Sequence, residues 1–304
     1  MVLEPWTDDP ATSGWIVLMG FLVCLACGWI GNFLILRRMS LVGDAISHSV
    51  LPGLAIGFLL TASRGTWPMF LGALAAGILT TVLIEIIHKY SRIKQDAAIG
   101  ISFTTLFAVG VVLISLFADK IDLDQECVLY GEIAFVPLEP LVHWGSWVLG
   151  PEPVLRMGLV AAVTLGLMLL FYKELLVSSF DAALTRSLGL PVTAIHYALM
   201  AVLSVIVVSA FESVGAILVI AMLIFPGATA SLLSRRLPVM LAWSALLSLL
   251  YALSGFHLAL WLDCSIAGAM VMMALFWFGV AWIITTCASA TKPWMAKTES
   301  AEVS

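Results

Sequence analysis

Between Arg37 and Gly53 the chain reads Arg-Arg-Met-Ser-Leu-Val-Gly-Asp-Ala-Ile-Ser-His-Ser-Val-Leu-Pro-Gly. An acid, Asp44, and an imidazole, His48, stand four residues apart inside an apolar run from Leu41 to Ala62. Four residues is about one helical turn, so the two side chains share a face and could hold one cation between them. Ionisable groups at membrane depth are costly and face a pathway or a partner, which makes this pair the first functional candidate.

Other reactive residue types are weaker candidates. Glu212 lies between two apolar runs, either as a water-exposed turn residue or as a ligand at the mouth of a pathway. Glu85 and His88 have the i, i+3 spacing of di-iron bundles, but the motif occurs once and such sites need two copies. Beside Lys89 it reads as a solvated helix end. Cys24-Leu-Ala-Cys27 sits in an apolar run without a second pair, so its cysteines read as small packing residues. Cys127, Cys264 and Cys287 show no pairing logic, His257 and Asp263 read as a solvated outer turn, and Asp96 reads as a helix cap. No H-E-x-x-H or G-x-x-x-x-G-K-[ST] is present, so nothing points to catalysis or ATP binding by this chain. No cofactor is expected.

The elements that carry these residues belong in a membrane. Of 304 residues, 62% are hydrophobic and 11% charged. Apolar runs recur near 14–36, 43–62, 67–88, 97–117, 154–172, 195–211, 213–233, 238–256 and 262–286. Each is close to the roughly 20 residues a helix needs to cross the hydrocarbon. The expectation is an all-α protein with eight or nine transmembrane helices in a single domain spanning 1–304, ending in a disordered tail at 292–304. The acidic N-terminus and the length of the first apolar run argue against a cleaved signal.

Charge sets the orientation. The connections at 37–44, 89–96, 173–194 and 234–238 and the tail after 287 hold eleven of the 14 Lys and Arg; Arg64, Lys120 and Arg156 are left for the other side. The positive-inside rule makes the first set cytoplasmic, which puts the C-terminus inside. The outer connection at 118–153 is acidic, through Asp119, Asp122, Asp124, Glu126, Glu132, Glu139 and Glu152. That is either the ordinary poverty of outer loops in bases or a surface that concentrates cations or docks a partner. Trp144 and Trp147 in it are expected at the headgroup level. A net charge of −5 with no basic aromatic surface gives no sign of nucleic acid.

The connection at 173–194 holds a short capped helix. Asp181 is the N-cap, Ala182 to Leu188 the helix and Gly189 its stop, with Pro191 just beyond. Phe180, Leu184 and Leu188 fall at i, i+4 and i+8, an apolar stripe that suits either the bilayer surface or a groove in a soluble partner. Further on, Gly215, Gly227, Ala228 and Ala230 form a small face expected to pack closely on another helix, with Pro226 bending it.

The run Gly43-Asp44-Ala45-x-Ser47-His48-x-Val50-Leu51-Pro52-Gly53 resembles the signature of the integral-membrane permeases of bacterial ABC importers for manganese, zinc and iron. Lys94-Gln95-Asp96-Ala97-Ala98-Ile99-Gly100-Ile101, Phe180-Asp181-x-x-Leu184-x-x-x-Leu188-Gly189-Leu190-Pro191 and the stretch from Val214 to Ala230 resemble further segments of that family, in the same order over about residues 14 to 285. The acidic N-terminus and the outer loop around 132–153 depart from the pattern.

The resemblance implies a machine of several parts. Two permease subunits, identical or paralogous, pair in the bacterial cytoplasmic membrane. A cytoplasmic ATP-binding subunit drives them and an extracytoplasmic metal-binding protein delivers the ion. Asp44 and His48 correspond to the family's metal-contacting residues. The segment with Phe180, Asp181, Leu184, Leu188 and Gly189 corresponds to its ATPase-coupling loop. The transported metal would be the only bound ion. The rival reading, a proton- or sodium-coupled secondary transporter, calls for matching broken helices in two halves, and no convincing repeat surrounds Pro52 or Pro226.

Overall fold

The structure, a computed structural model, describes residues 9–61, 66–117, 133–144 and 147–302. In chain order the elements are α1 (Pro10–Leu36), α2 (Val42–Thr61), α3 (Thr66–Tyr90), α4 (Gln95–Leu116), a 3-10 turn (Ile133–Leu138), β1 (Leu141–Trp144), β2 (Trp147–Pro151), α5 (Glu152–Leu170), α6 (Tyr172–Phe180), α7 (Ala182–Ser187), α8 (Val192–Leu233), α9 (Leu237–Leu262) and α10 (Ile266–Glu302). Among the described residues nine helical stretches are long and apolar enough to span, with α8 contributing two, Val192–Phe211 and Ser213–Leu233. The bounds of α10 run into the segment read from composition as a disordered tail. The acids from Asp119 to Glu132 and Cys127 lie outside the described residues, as do the side chains of Trp144 and Trp147.

The spans run up and down, so the connections rich in Lys and Arg collect at one end of the bundle, the basic end. There α1 stops on a residue with positive φ. Arg38 (φ 59°) lets Arg38 N–H reach the Ile35 carbonyl and Met39 N–H reach that of Leu34, at 3.0 and 2.8 Å. This is the Schellman arrangement, with an arginine where glycine is usual. The turn aims Arg37 at α6, where its Nη2 donates to Ser178 Oγ at 2.7 Å and its Nε to Ser179 Oγ at 3.1 Å. Burial pushes the Arg37 guanidinium below its ordinary value, yet it stays charged.

α1 is the central helix. Met19, Val23, Cys24, Ala26, Cys27, Ile30 and Phe33 are fully buried, so the two cysteines of the C-x-x-C pack as small apolar residues. Glycines set its distance from α8. A Cβ on Gly28 would lie 2.8 Å from Pro226 Cβ, and one on Gly31 would collide with the Leu223 carbonyl. From the other side, a Cβ on Gly227 would lie 3.2 Å from Asn32 N. The expected small face of the Gly215–Ala230 stretch is therefore an intrachain seam, at its Gly227 end. Asn32 extends it to α9 by donating to Ser244 Oγ at 2.7 Å.

Gly215 has a different role from the packing residue expected. It takes φ 77° and ψ 167°, the non-helical residue inside α8, three residues past Glu212 where the apolar runs divide. Glycine carries no Cβ penalty at positive φ. The break divides a helix that, straight, would be about 63 Å long, twice the hydrocarbon thickness. The first half starts at the basic end, with His196 beside Glu85. The second half returns there, three residues before α9, whose early residue Ser244 meets Asn32 near the end of α1.

α2 and α3 form a second close antiparallel pair. A Cβ on Gly53 would meet the Gly72 carbonyl, and Ser49 Oγ and Thr80 Oγ1 share a 2.5 Å hydrogen bond. α4 packs on the other side of α2, with Gly110 opposite the Pro52 ring.

Candidate metal-pathway site

The sequence places two donors one turn apart near the start of α2, and the structure brings them together. His48 Nε2 lies 3.3 Å from Asp44 Oδ1, and the side chains are 35% and 31% exposed. Phe103 and Phe107 of α4 wall one side of the imidazole, with ring centroids at 5.8 and 6.2 Å. The pair is not enclosed, since about a third of each side chain stays exposed. The Ser49–Thr80 bond ties α2 to α3, while Ser47 donates back to the Gly43 carbonyl of its own helix at 3.0 Å.

Pro52 adds a further feature. Proline has no N–H, so the carbonyl four residues back, that of His48, receives no helical bond from it. That oxygen points toward the C-terminal end of α2, away from Asp44, so the turn from Asp44 to His48 itself offers a carboxylate oxygen and an imidazole nitrogen. Carboxylate and imidazole together suit manganese, ferrous iron or zinc. Among the described residues no group of three or more His, Cys, Asp or Glu could hold a metal. Among the described residues the chain alone therefore offers two side-chain ligands here, short of the four of a closed structural zinc site. Glu212 lies in α8 at the break, and its side chain falls outside the described residues.

The segment at the basic end is two helices where one was expected. α6 continues past Tyr172 to Phe180, and α7 starts on Asp181, whose carboxylate accepts from Ala183 N at 2.8 Å and Leu184 N at 3.0 Å. Gly189, at φ 76°, closes α7 with a second Schellman pair, Leu190 N to Thr185 O and Gly189 N to Arg186 O. The extended Asp181 therefore breaks the single-helix stripe expected from the spacing: Phe180 ends α6, while Leu184 lies in α7 and Leu188 caps it, and all three side chains are exposed.

Two features escaped the sequence. Arg37 ties the end of α1 to α6, and Glu85 faces His196 of α8 rather than acting with His88, whose Nδ1 instead lies 3.3 Å from the Ile93 carbonyl. Asp96 stands in the first turn of α4 after an N-cap at Lys94 and makes no capping bond, so it supports that helix through the dipole alone.

The profile of the ABC 3 transport family matches residues 12–285. The chain belongs to that family. It is 45% identical over 261 residues to the manganese transport system membrane protein MntD of Bacillus subtilis, covering 86% of this chain and 88% of that one. It is 43% identical over 270 residues to the zinc transport system membrane protein TroD of Treponema pallidum, covering 89% and 73%. A probable iron transport system membrane protein of Haemophilus influenzae is 32% identical over 285 residues, covering 94% and 93%. Among solved structures, a chain of PsaBC from Streptococcus pneumoniae in complex with Fab superposes with a TM-score of 0.75 at 32% identity, over 92% of this chain and 94% of that one. The chain is thus a multi-pass membrane protein of a bacterial ABC transporter family.

Proposed function

We propose that this chain is the permease subunit of an ATP-driven importer that carries manganese, zinc or iron across the bacterial cytoplasmic membrane. The observation that carries the reading is the Asp44–His48 pair, two metal donors 3.3 Å apart on one turn of an apolar helix, in a chain of the ABC 3 transport family. The relatives named for manganese, zinc and iron transport support the cargo class, and a carboxylate with an imidazole accepts all three metals alike. The names of these relatives lend no support to the ion-coupled secondary transporter.

In this reading the basic end faces the cytoplasm, by the positive-inside rule, and the C-terminus lies there too. A separate ATP-binding subunit hydrolyses ATP and docks on the exposed Phe180, Leu184 and Leu188 around the α6–α7 turn, with Asp181 and Gly189 shaping the short helix α7. A second permease subunit, identical or paralogous, meets the exposed part of the Asp44–His48 pair and completes the coordination. A pathway that shares its ligands between two chains holds the ion weakly enough to release it. An extracytoplasmic metal-binding protein hands the ion to the opposite end.

Uptake of manganese, zinc and iron, tested ion by ion in cells with and without the gene, decides the reading. Accumulation of at least one of them should depend on the gene and on its ATPase partner. Uptake that persists when ATP is depleted but collapses with the proton or sodium gradient would overturn it.

A further inference from the structure

Glu85 lies in the last turns of α3 and His196 in the first turns of α8, 111 residues apart in sequence. Glu85 Oε2 and His196 Nε2 stand 3.5 Å apart, with the side chains 31% and 20% exposed. That separation exceeds the roughly 2.7–3.2 Å of a good N–H···O bond. It is the spacing of two donors around one ion, since ligand atoms about 2.1 Å from a tetrahedral metal lie about 3.4 Å from each other. The Asp44–His48 pair has the same chemistry at nearly the same spacing, 3.3 Å.

Position strengthens the comparison. The Ser49–Thr80 bond and the contact between Gly53 and Ala76 set the antiparallel register of α2 and α3. Continued for about a turn and a half, that register brings Glu85 level with Asp44. The two pairs then lie at one depth on different sides of the α2–α3 unit, one toward α4 and one toward α8, with Ile46 packed between α3 and α8 near Gly77 and Ser204. The charged neighbour acting on His196 besides Glu85 is Arg37, whose guanidinium is bonded to Ser178 and Ser179 rather than to Glu85. Its charge disfavours permanent retention of a dication, as a station on a pathway requires.

We propose that Glu85 and His196 form a second station for a divalent transition metal, between α3 and α8 at the basic end. Any part the site takes in import rests on the importer reading; the site itself does not. Two protein ligands leave the remaining coordination positions to water, and an oxygen–nitrogen donor set accepts manganese, iron, cobalt or zinc.

Cobalt(II) titration of the full chain, purified with its ATPase partner, tests the site apart from transport. In the Asp44→Ala/His48→Ala background, Co2+ should still bind, and Glu85→Gln should weaken that binding at least tenfold. His196→Cys in the same background should add a near-ultraviolet thiolate-to-cobalt charge-transfer band, absent from the parent with its own cysteines. This positive signal needs a folded site, and Glu85→Gln should diminish it. In cells, Glu85→Gln/His196→Gln should lower metal uptake several-fold at unchanged membrane level. Co2+ affinity unaffected by Glu85→Gln, or a His196→Cys protein without the new band, would overturn the station. A chain that binds Co2+ here while cells lacking the gene take up every metal normally would leave the station standing and remove the importer reading instead.

Discussion

Gly28→Ala adds a single methyl group to α1, and its effect follows from the seam with α8. The new Cβ would sit 2.8 Å from Pro226 Cβ and 3.1 Å from its Cγ. Carbon atoms in contact prefer about 3.5–4.0 Å, so the two helices must part by up to about 1 Å. A side chain could rotate out of the way, but the Pro226 ring cannot. Forced overpacking of this kind costs about 1–3 kcal/mol, of which the better helix propensity of alanine returns up to about 1 kcal/mol. At roughly 2–4 °C per kcal/mol for a chain of this size class, the midpoint of thermal unfolding in detergent should fall by up to about 8 °C and lie below that of Gly166→Ala. Gly166→Ala is the matched control, because a Cβ there meets nothing within 4 Å. In that exposed helical position the change should be neutral or stabilising by up to about 1 kcal/mol. The assay is heating followed by size-exclusion chromatography of both variants beside the parent. A Gly28→Ala protein that melts level with or above Gly166→Ala would refute the packing argument.

Leu184→Glu places a charge on the exposed stripe of α7, so the ATPase should be lost on purification or should hydrolyse ATP without metal uptake; an ATPase that co-purifies and couples normally would place the contact elsewhere. Asp181→Ala removes the N-cap of α7 and should cost about 1 kcal/mol of local stability, read as faster amide exchange at Ala183 and Leu184 with the spans unchanged. Gly215→Leu forces a side chain into φ 77°, so it should lower stable expression without altering which metal is taken up, and a well-expressed variant with switched metal preference would move this helix into the pathway.

Much of the architecture was written in hydropathy, because a spanning helix needs about 20 apolar residues whatever its neighbours do. The Asp44–His48 pair and the Asp181 cap were legible for a similar reason. Both depend on spacing within one turn, where sequence distance and spatial distance agree. Gly215 shows where that agreement ends. A glycine kept small for packing and one kept for positive φ are the same letter, and only the backbone at φ 77° separates them. In sequence Glu85 stands beside His88 on its own helix, yet its partner is His196, brought near by the pairing of α3 and α8. Arg37 read as one of several bases marking a cytoplasmic loop, while the turn at Arg38 aims it at Ser178 and Ser179. The hairpin of β1 and β2 carries Gly150 at φ 128° against Trp15 in a stretch whose prolines and tryptophans suggested only an outer connection.

The central claim is that Asp44 and His48 line the route of the ion. Its most direct test is radiotracer metal accumulation in cells that carry Asp44→Ala or His48→Ala, with the amount of each variant in the membrane measured alongside. Each substitution removes one donor of the 3.3 Å pair and little packing, since both side chains are only partly buried. Uptake should fall to the level of cells without the gene, at normal membrane abundance and with the ATPase still bound. Normal accumulation by both variants would contradict the account.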